Sequence, residues 1–151
     1  MNYKIYFDCC CLNRPYDELN AHSVRMEAEA ILSIIDNCET GTWSHVGSDV
    51  LLDEILQITN TPKREKILVL YRSANSHIEL ADSIITRAKE FEQYNIKSYD
   101  ALHLASAEAS DVDVLLTTDK KFIRATQGLN LEIRVMNPLI WLSEVLYDTE
   151  F

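Results

Sequence analysis

Val114-Leu115-Leu116-Thr117-Thr118-Asp119 decides the fold. From Val114 to Thr117 the stretch reads as continuously apolar, the pattern of a strand covered on both faces inside a parallel sheet. It then closes on a carboxylate. Near the N-terminus Tyr3-Lys4-Ile5-Tyr6-Phe7 repeats the arrangement, an apolar run ended by Asp8. Two inner strands that each lead to an acid set the frame for the rest of the chain.

Working outward, strand-like and helix-like patterns alternate without repeats, low-complexity tracts or linkers. Val24, Ala28, Ile31, Leu32 and Ile35 recur with helical spacing, and Gly41 stops that helix. Trp43 to Gly47 reads as a second strand, followed by a helix capped by Ser48 and carrying Leu51, Ile55 and Ile58. Asn60-Thr61-Pro62 breaks it and starts another, over 63–73. A third strand is expected at His77 to Ala81, then a helix through Ile84, Ala88 and Phe91. Ser98 is expected to cap a helix from Tyr99 to Ala109, apolar nearly all round and therefore buried. Leu131-Glu132-Ile133-Arg134-Val135 alternates as a strand nearer a sheet edge does. Pro138 opens a last helix through Trp141, Leu142 and Val145. Strands joined by helical crossovers imply a three-layer α/β fold: a central, mostly parallel sheet of about five strands flanked by helices. Ligands of such sheets sit at the carboxyl ends of the strands, where Asp8 and Asp119 fall.

Composition bounds the function. The 151 residues suit one domain spanning 1–151, and 47% hydrophobic with 25% charged residues reads as globular. A net charge of −10 argues against a general polyanion binder, although basic residues can still cluster at a rim. Cys9, Cys10, Cys11 and Cys38 match neither a disulfide framework nor the spacing of a zinc site. They read as small apolar residues under a strand end in a reduced cytoplasm. No signal region is evident, and no apolar run approaches the roughly 20 residues of a membrane helix, so a cytoplasmic protein is expected.

Of 24 acidic residues, four fall where the fold would bring strand ends together: Asp8, Glu54, Asp100 and Asp119. Helical geometry turns each residue about 100° from the last, so Glu54 flanks the Leu51–Ile55–Ile58 stripe while Asp53 points away toward water. Asp100 sits in the first turn of a buried helix, where the macrodipole favours a carboxylate. Capping the following helix is the ordinary alternative for Asp119. Acids gathered on one rim repel unless a cation joins them, which points to a hard divalent ion.

Tyr6-Phe7-Asp8, Val50-Leu51-Leu52-Asp53-Glu54-Ile55, Tyr99-Asp100-Ala101-Leu102-His103-Leu104-Ala105 and Leu115-Leu116-Thr117-Thr118-Asp119-Lys120-Lys121-Phe122 resemble, in order, the successive motifs of PIN domains. These are metal-dependent nucleases that include the VapC-type toxins of toxin–antitoxin pairs. The Asp-Ala-Leu-His-Leu-Ala and Thr-Thr-Asp motifs, about 20 residues apart, carry most of the likeness. It implies Mg²⁺ or Mn²⁺ held by Asp8, Glu54, Asp100 and Asp119, RNA as substrate, an antitoxin partner and a homodimer. Cys9 stands where many relatives carry a hydroxyl, and a thiol is a poor ligand for a hard ion. Thr118 keeps a hydroxyl beside Asp119 that can orient a water. His103, one turn from Asp100, reads as a packed histidine supporting the site. Asn13 and Arg14 can reach a phosphate or simply form a turn; Lys120, Lys121 and Arg124 can hold an RNA backbone or face solvent.

The reaction implied is hydrolysis of RNA by an endoribonuclease whose one or two ions position the scissile phosphate and lower the pKa of the attacking water. The competing class is a catalytically weak PIN-like binding module that docks RNA or an antitoxin. Phosphoryl transfer to Asp8 fits poorly, because Cys10 occupies the place of the second acid in haloacid-dehalogenase phosphatases, and Tyr6-Phe7 precedes Asp8 where receiver domains carry an acidic pair.

Overall fold

The strand β1 (Lys4–Phe7) buries its last three side chains and lies at the centre of a five-stranded sheet. The other strands are β2 (Ser44–Ser48), β3 (Ser76–Ile78), β4 (Val114–Leu116) and β5 (Arg134–Met136), in the spatial order β3-β2-β1-β4-β5. All four neighbouring pairs run parallel, in keeping with the apolar runs Ile5–Phe7 of β1 and Val114–Leu116 of β4. The computed structural model describes residues 2–150, without the side chains of 149 and 150. The chain moves outward from β1 to β3 on one side and returns to build β4 and β5 on the other. The order therefore reverses between β1 and β4, and the crevice at such a reversal is where open parallel sheets place their ligands.

Eight helices cover the sheet: α1 (Cys9–Asn13), α2 (His22–Glu39), α3 (Asp49–Leu56), α4 (Thr61–Tyr71), α5 (Asp82–Glu92), α6 (Ser98–Ala109), α7 (Lys120–Thr126) and α8 (Pro138–Glu150). Alternation along the strands divides the core in two. Ile5, Phe7, Val114 and Leu116 pack with Ile31, Ile34 and Ile35 of α2 and with Trp141 and Leu142 of α8. Tyr6 and Leu115 turn to the opposite face, against Ile84 and Phe91 of α5 and Ala101 and Leu104 of α6. Fully buried aliphatic and aromatic side chains of this kind contribute about 1.5–3 kcal/mol each.

Several local expectations shift: the helix expected over 63–73 is Thr61–Tyr71, and Ile58 falls beyond the end of α3. The strand expected over 77–81 is Ser76–Ile78, because Asp49 Oδ2 takes the Leu80 N–H at 2.8 Å and draws the chain out of the sheet. The strand expected over 131–135 is Arg134–Met136. Its partner β4 begins at Val114, opposite Arg134, so the earlier alternating residues have no ladder to join. Ser98 is the first residue of α6 rather than its cap; Lys97 holds that place, with no side-chain bond. The sequence reading also passed over α1, a single turn formed by the cysteine run and capped by Asp8.

Candidate active site

Asp8 leaves the end of β1 almost fully buried, and its backbone N–H donates to Leu116 O at 3.2 Å, tying the ends of the two central strands together. Its Oδ1 accepts the Cys11 N–H at 3.0 Å, the bond that starts α1. The Cys10 thiol lies 3.0 and 3.1 Å from the two carboxylate oxygens and also meets the Thr117 and Thr118 hydroxyls at 3.3 and 3.2 Å. Burial pushes the Asp8 carboxyl above its ordinary range, while His103 and the Cys10, Thr117 and Cys11 donors pull against that rise. The same burial, reinforced by Asp8, raises the Cys10 thiol, so it stays protonated and donates.

Asp119 arrives three residues after β4 and caps α7 through one oxygen, Oδ1, which accepts the N–H groups of Lys121 at 2.9 Å and Phe122 at 3.2 Å. The capping alternative for this residue is thus occupied, and it leaves the second oxygen without a hydrogen bond among the described residues. Asp100 stands in the first turn of α6. Its carboxyl is pushed up to about 6, by burial first and then by Asp8, with Asp119 and Glu54 adding to the rise. A carboxyl that feels three others at once sits among them. Asp100 and Asp119 also share a small cavity of about 80 Å³ with Lys97 and Lys121.

Glu54 lies on the inward flank of α3, half-buried, with Oε1 2.8 Å from His103 Nε2. Asp53, one residue earlier, is exposed and accepts from the Tyr99 hydroxyl at 2.6 Å and the Gln57 amide at 2.9 Å. The two neighbours occupy different faces, as helical spacing requires. His103 is buried, with its other ring nitrogen 2.7 Å from the Tyr6 hydroxyl. None of Asp8, Glu54, Asp100 and Asp119 has a lysine or arginine within ion-pair distance among the described residues; the Glu54–His103 contact is the nearest approach to a pair.

The residues expected at the rim divide. Asn13 donates its amide to Cys9 O at 3.2 Å, and Arg14 pairs with Asp17 and Glu27, each at 3.2 Å. Both are engaged in holding the turn after α1. Lys120, Lys121 and Arg124 are exposed on α7. Lys97, Cys10 and Tyr6 join the site without having been singled out in the sequence. A phenol in the middle of an inner apolar strand was the available signal for Tyr6, since a buried hydroxyl needs a partner.

Whether these residues suit a divalent ion can be judged from their chemistry. Four carboxylates with oxygen-only donors match a hard cation. Among the described residues no three His, Cys, Asp or Glu side chains converge closely enough to chelate an ion as they stand. The donor set fits, and an ion would have to draw it together.

An α/β protein with an unneutralised acidic crevice at its switch point is the class this geometry defines. Within that class the chain belongs to the PIN-domain family, whose model matches residues 24–127. That span contains Glu54, Asp100 and Asp119, with Asp8 just ahead of it. No curated protein matches the sequence. Solved structures share the fold. VapBC2 from Rickettsia felis, bound to a DNA fragment from their promoter, aligns with a TM-score of 0.57 and 16% identity over 89% of this chain and 98% of its own. VapBC-1 from nontypeable Haemophilus influenzae gives 0.58 and 12% over 89% and 98%. PAE2754 from Pyrobaculum aerophilum gives 0.55 and 16% over 95% and 99%.

Proposed function

We propose that this protein is a Mg²⁺- or Mn²⁺-dependent endoribonuclease, working as one PIN-like domain and serving as the toxin of a toxin–antitoxin pair. The observation that carries the reading is the set of four carboxylates at the β1/β4 crevice, none with a lysine or arginine within ion-pair distance among the described residues. Membership of the PIN-domain family supports the nuclease class. The likeness to two VapBC structures supports an antitoxin partner. No helix among the described residues is long and apolar enough to cross a membrane, which accords with work in the cytoplasm.

Asp8, Glu54, Asp100 and Asp119 would hold the ion, which when bound supplies positive charge at the scissile phosphate and acidifies an attacking water. The chain does the rest. The backbone N–H groups of Cys11, Lys121 and Phe122 fix Asp8 and Asp119 in orientation. Lys97 and Lys121, at the mouth of the Asp100–Asp119 cavity, with Lys120 beside them, are placed to take a phosphate backbone. Thr118, whose hydroxyl faces Cys10, borders the same crevice. In the homodimer that completes this reading, exposed Met26, Leu32, Ile140 and Leu146 on α2 and α8 supply apolar surface for a second copy or an antitoxin.

Incubating the protein with structured and unstructured RNA in Mn²⁺, Mg²⁺ or EDTA tests the reading. Cleavage that needs the ion and disappears in Glu54→Gln is the expected result. RNA binding without cleavage under every ion condition would instead favour the binding-module alternative.

A further inference from the structure

Glu54 differs from the other three acids in how it is held. Asp8 and Asp119 are short side chains pinned by backbone N–H groups at helix starts. Glu54 is longer, projects from the body of α3, and among the described residues has one hydrogen-bond partner, His103 Nε2 at 2.8 Å. A flexible carboxylate left to itself loses rotamer entropy whenever it is called into one position. Something else must hold it.

That support runs back through the sheet. Tyr6, fully buried in β1, has its hydroxyl 2.7 Å from His103 Nδ1 and 2.6 Å from Ser48 Oγ, which lies at the end of β2. Ser48 Oγ in turn accepts the Leu51 N–H at 3.0 Å. Donor and acceptor roles fix the direction of the chain. A carboxylate only accepts, so His103 Nε2 carries the proton, and a neutral imidazole then has a bare Nδ1. That nitrogen accepts the Tyr6 O–H, the phenol oxygen accepts the Ser48 O–H, and Ser48 is satisfied by Leu51. No donor is left over. With the ring doubly protonated, the directions reverse and the Ser48 O–H loses its acceptor.

We propose that Tyr6 and Ser48 are positioning residues for Glu54, acting through His103: they lock its imidazole as the Nε2–H tautomer, so that Glu54 keeps one oxygen tied and the other free. The purpose rests on the nuclease reading above, while the relay itself is a property of the metal-free chain. Both anchors lie on strands, the most rigid part of the fold, and transmit that rigidity to a helix-borne carboxylate. Partners that orient a ligand in this way change metal affinity by roughly 10–100-fold when removed.

The experiment has two arms. Nitrogen-15 NMR of the histidine rings in the metal-free protein should show His103 protonated at Nε2, with its resonances moving in Tyr6→Phe and in Glu54→Gln. Calorimetric titration with Mn²⁺ should show Tyr6→Phe weakening binding by about tenfold. His103→Gln, whose amide N–H can still reach Glu54, should retain most of the affinity that His103→Leu loses. In a Glu54→Gln background Tyr6→Phe should have no further effect, which separates positioning from general loosening of the fold. A wild-type His103 protonated at Nδ1 overturns the proposal, as does an equal loss from Tyr6→Phe with and without Glu54. If the wild-type protein takes up no Mn²⁺, the nuclease reading falls, and the NMR arm alone decides the relay: unmoved resonances in Tyr6→Phe overturn it.

Discussion

Carboxylates on the flanks of this molecule and carboxylates in its crevice are treated in opposite ways. At several places on the flanks the chain supplies its own cations. Arg87 meets Glu90 at 2.6 Å and Glu108 at 2.8 Å, Arg134 meets Glu144 at 2.7 Å, and Asp17 is shared by Arg14 and Lys63 at 3.2 and 3.5 Å. In the crevice Asp8 and Asp100 are more buried, hence more in need of neutralisation, yet neither has a lysine or arginine within ion-pair distance among the described residues. Exposed ion pairs contribute little and are easily made. Leaving buried acids unpaired is the costlier arrangement, and its persistence at one place on the fold supports the active site proposed there.

Removing one crevice acid is the severest test of the contrast. Asp100→Asn keeps the shape of the side chain and removes a charge that a cation needs. RNA cleavage should fall by roughly two orders of magnitude or more, the scale on which a group stabilising charge at a reacting centre is felt. RNA affinity should hold or tighten, since a negative charge facing phosphates has gone. Cleavage rate and melting temperature measured on the same variant separate this from a helix-start role, which predicts full activity and a slightly less stable protein.

Supplying the missing cation is the next largest effect. Mn²⁺ binding only to the folded chain should stabilise it by about 2.7 kcal/mol at a hundredfold excess over the dissociation constant, and EDTA should reverse the gain. The flank acids provide the control. Asp49→Asn removes the partner of His77, 2.6 Å away, and should leave the Mn²⁺-dependent shift in melting temperature unchanged. An equal response from Asp49→Asn and Asp100→Asn would erase the distinction between flank and crevice.

The same contrast explains what the sequence disclosed. The sheet was legible because Ile5 to Phe7 and Val114 to Leu116 are apolar at every position, which leaves few alternatives to inner parallel strands. Helical spacing likewise separated Glu54 from Asp53. Long-range polar pairing was not legible. The Leu80 N–H is taken by Asp49, 31 residues away, and that bond ends β3 early. Arg14 looks like a phosphate ligand in Asn-Arg-Pro, but its partner Glu27 lies on the far side of a turn that has no local signature. The relay from Ser48 to His103 spans 55 positions for the same reason. Periodicity reports which face is buried; it carries no information on which buried polar group meets which.

Acidity offers a smaller effect with a definite sign. The Asp100 carboxyl is pushed up to about 6 in the folded protein, chiefly by burial and then by Asp8. Between that value and its ordinary unfolded range the folded state binds the extra proton, so the metal-free protein gains stability as pH falls through 6 toward 4. Partial exposure limits the gain to about 1–2 kcal/mol. His45 opposes it: burial lowers its imidazole to about 3, so the unfolded chain takes up that proton first and stability is lost as pH falls below 6.5. Chemical denaturation in EDTA from pH 7 to 4, for wild type and Asp100→Asn, isolates the Asp100 contribution because the His45 loss is common to both. A difference between the two proteins that does not change with pH would show that folding does not raise the Asp100 carboxyl, by burial or by its neighbours.

The smallest expected effect is also the closest comparison, since Asp53 and Glu54 are adjacent on one helix. Asp53 belongs to the flank pattern: exposed, and satisfied by the Tyr99 hydroxyl at 2.6 Å and the Gln57 amide at 2.9 Å. Both bonds end on Oδ2, so Asp53→Asn retains an oxygen that can accept them and should cost about 0.5 kcal/mol, within the range of exposed polar contacts. Cleavage and Mn²⁺ affinity should be unchanged, whereas Glu54→Gln should lose cleavage and bind Mn²⁺ measurably more weakly while unfolding at nearly the same temperature. Tyr99 adds a cross-check. Its phenol is raised chiefly by the hydrogen bond to Asp53, so Asp53→Asn should lower its titration midpoint, followed by ultraviolet absorbance, whereas Glu54→Gln should move it less because Glu54 contributes only a weak charge effect. If Asp53→Asn instead abolishes cleavage, α3 presents its other face to the crevice, and the division between paired and unpaired acids runs through the wrong residue.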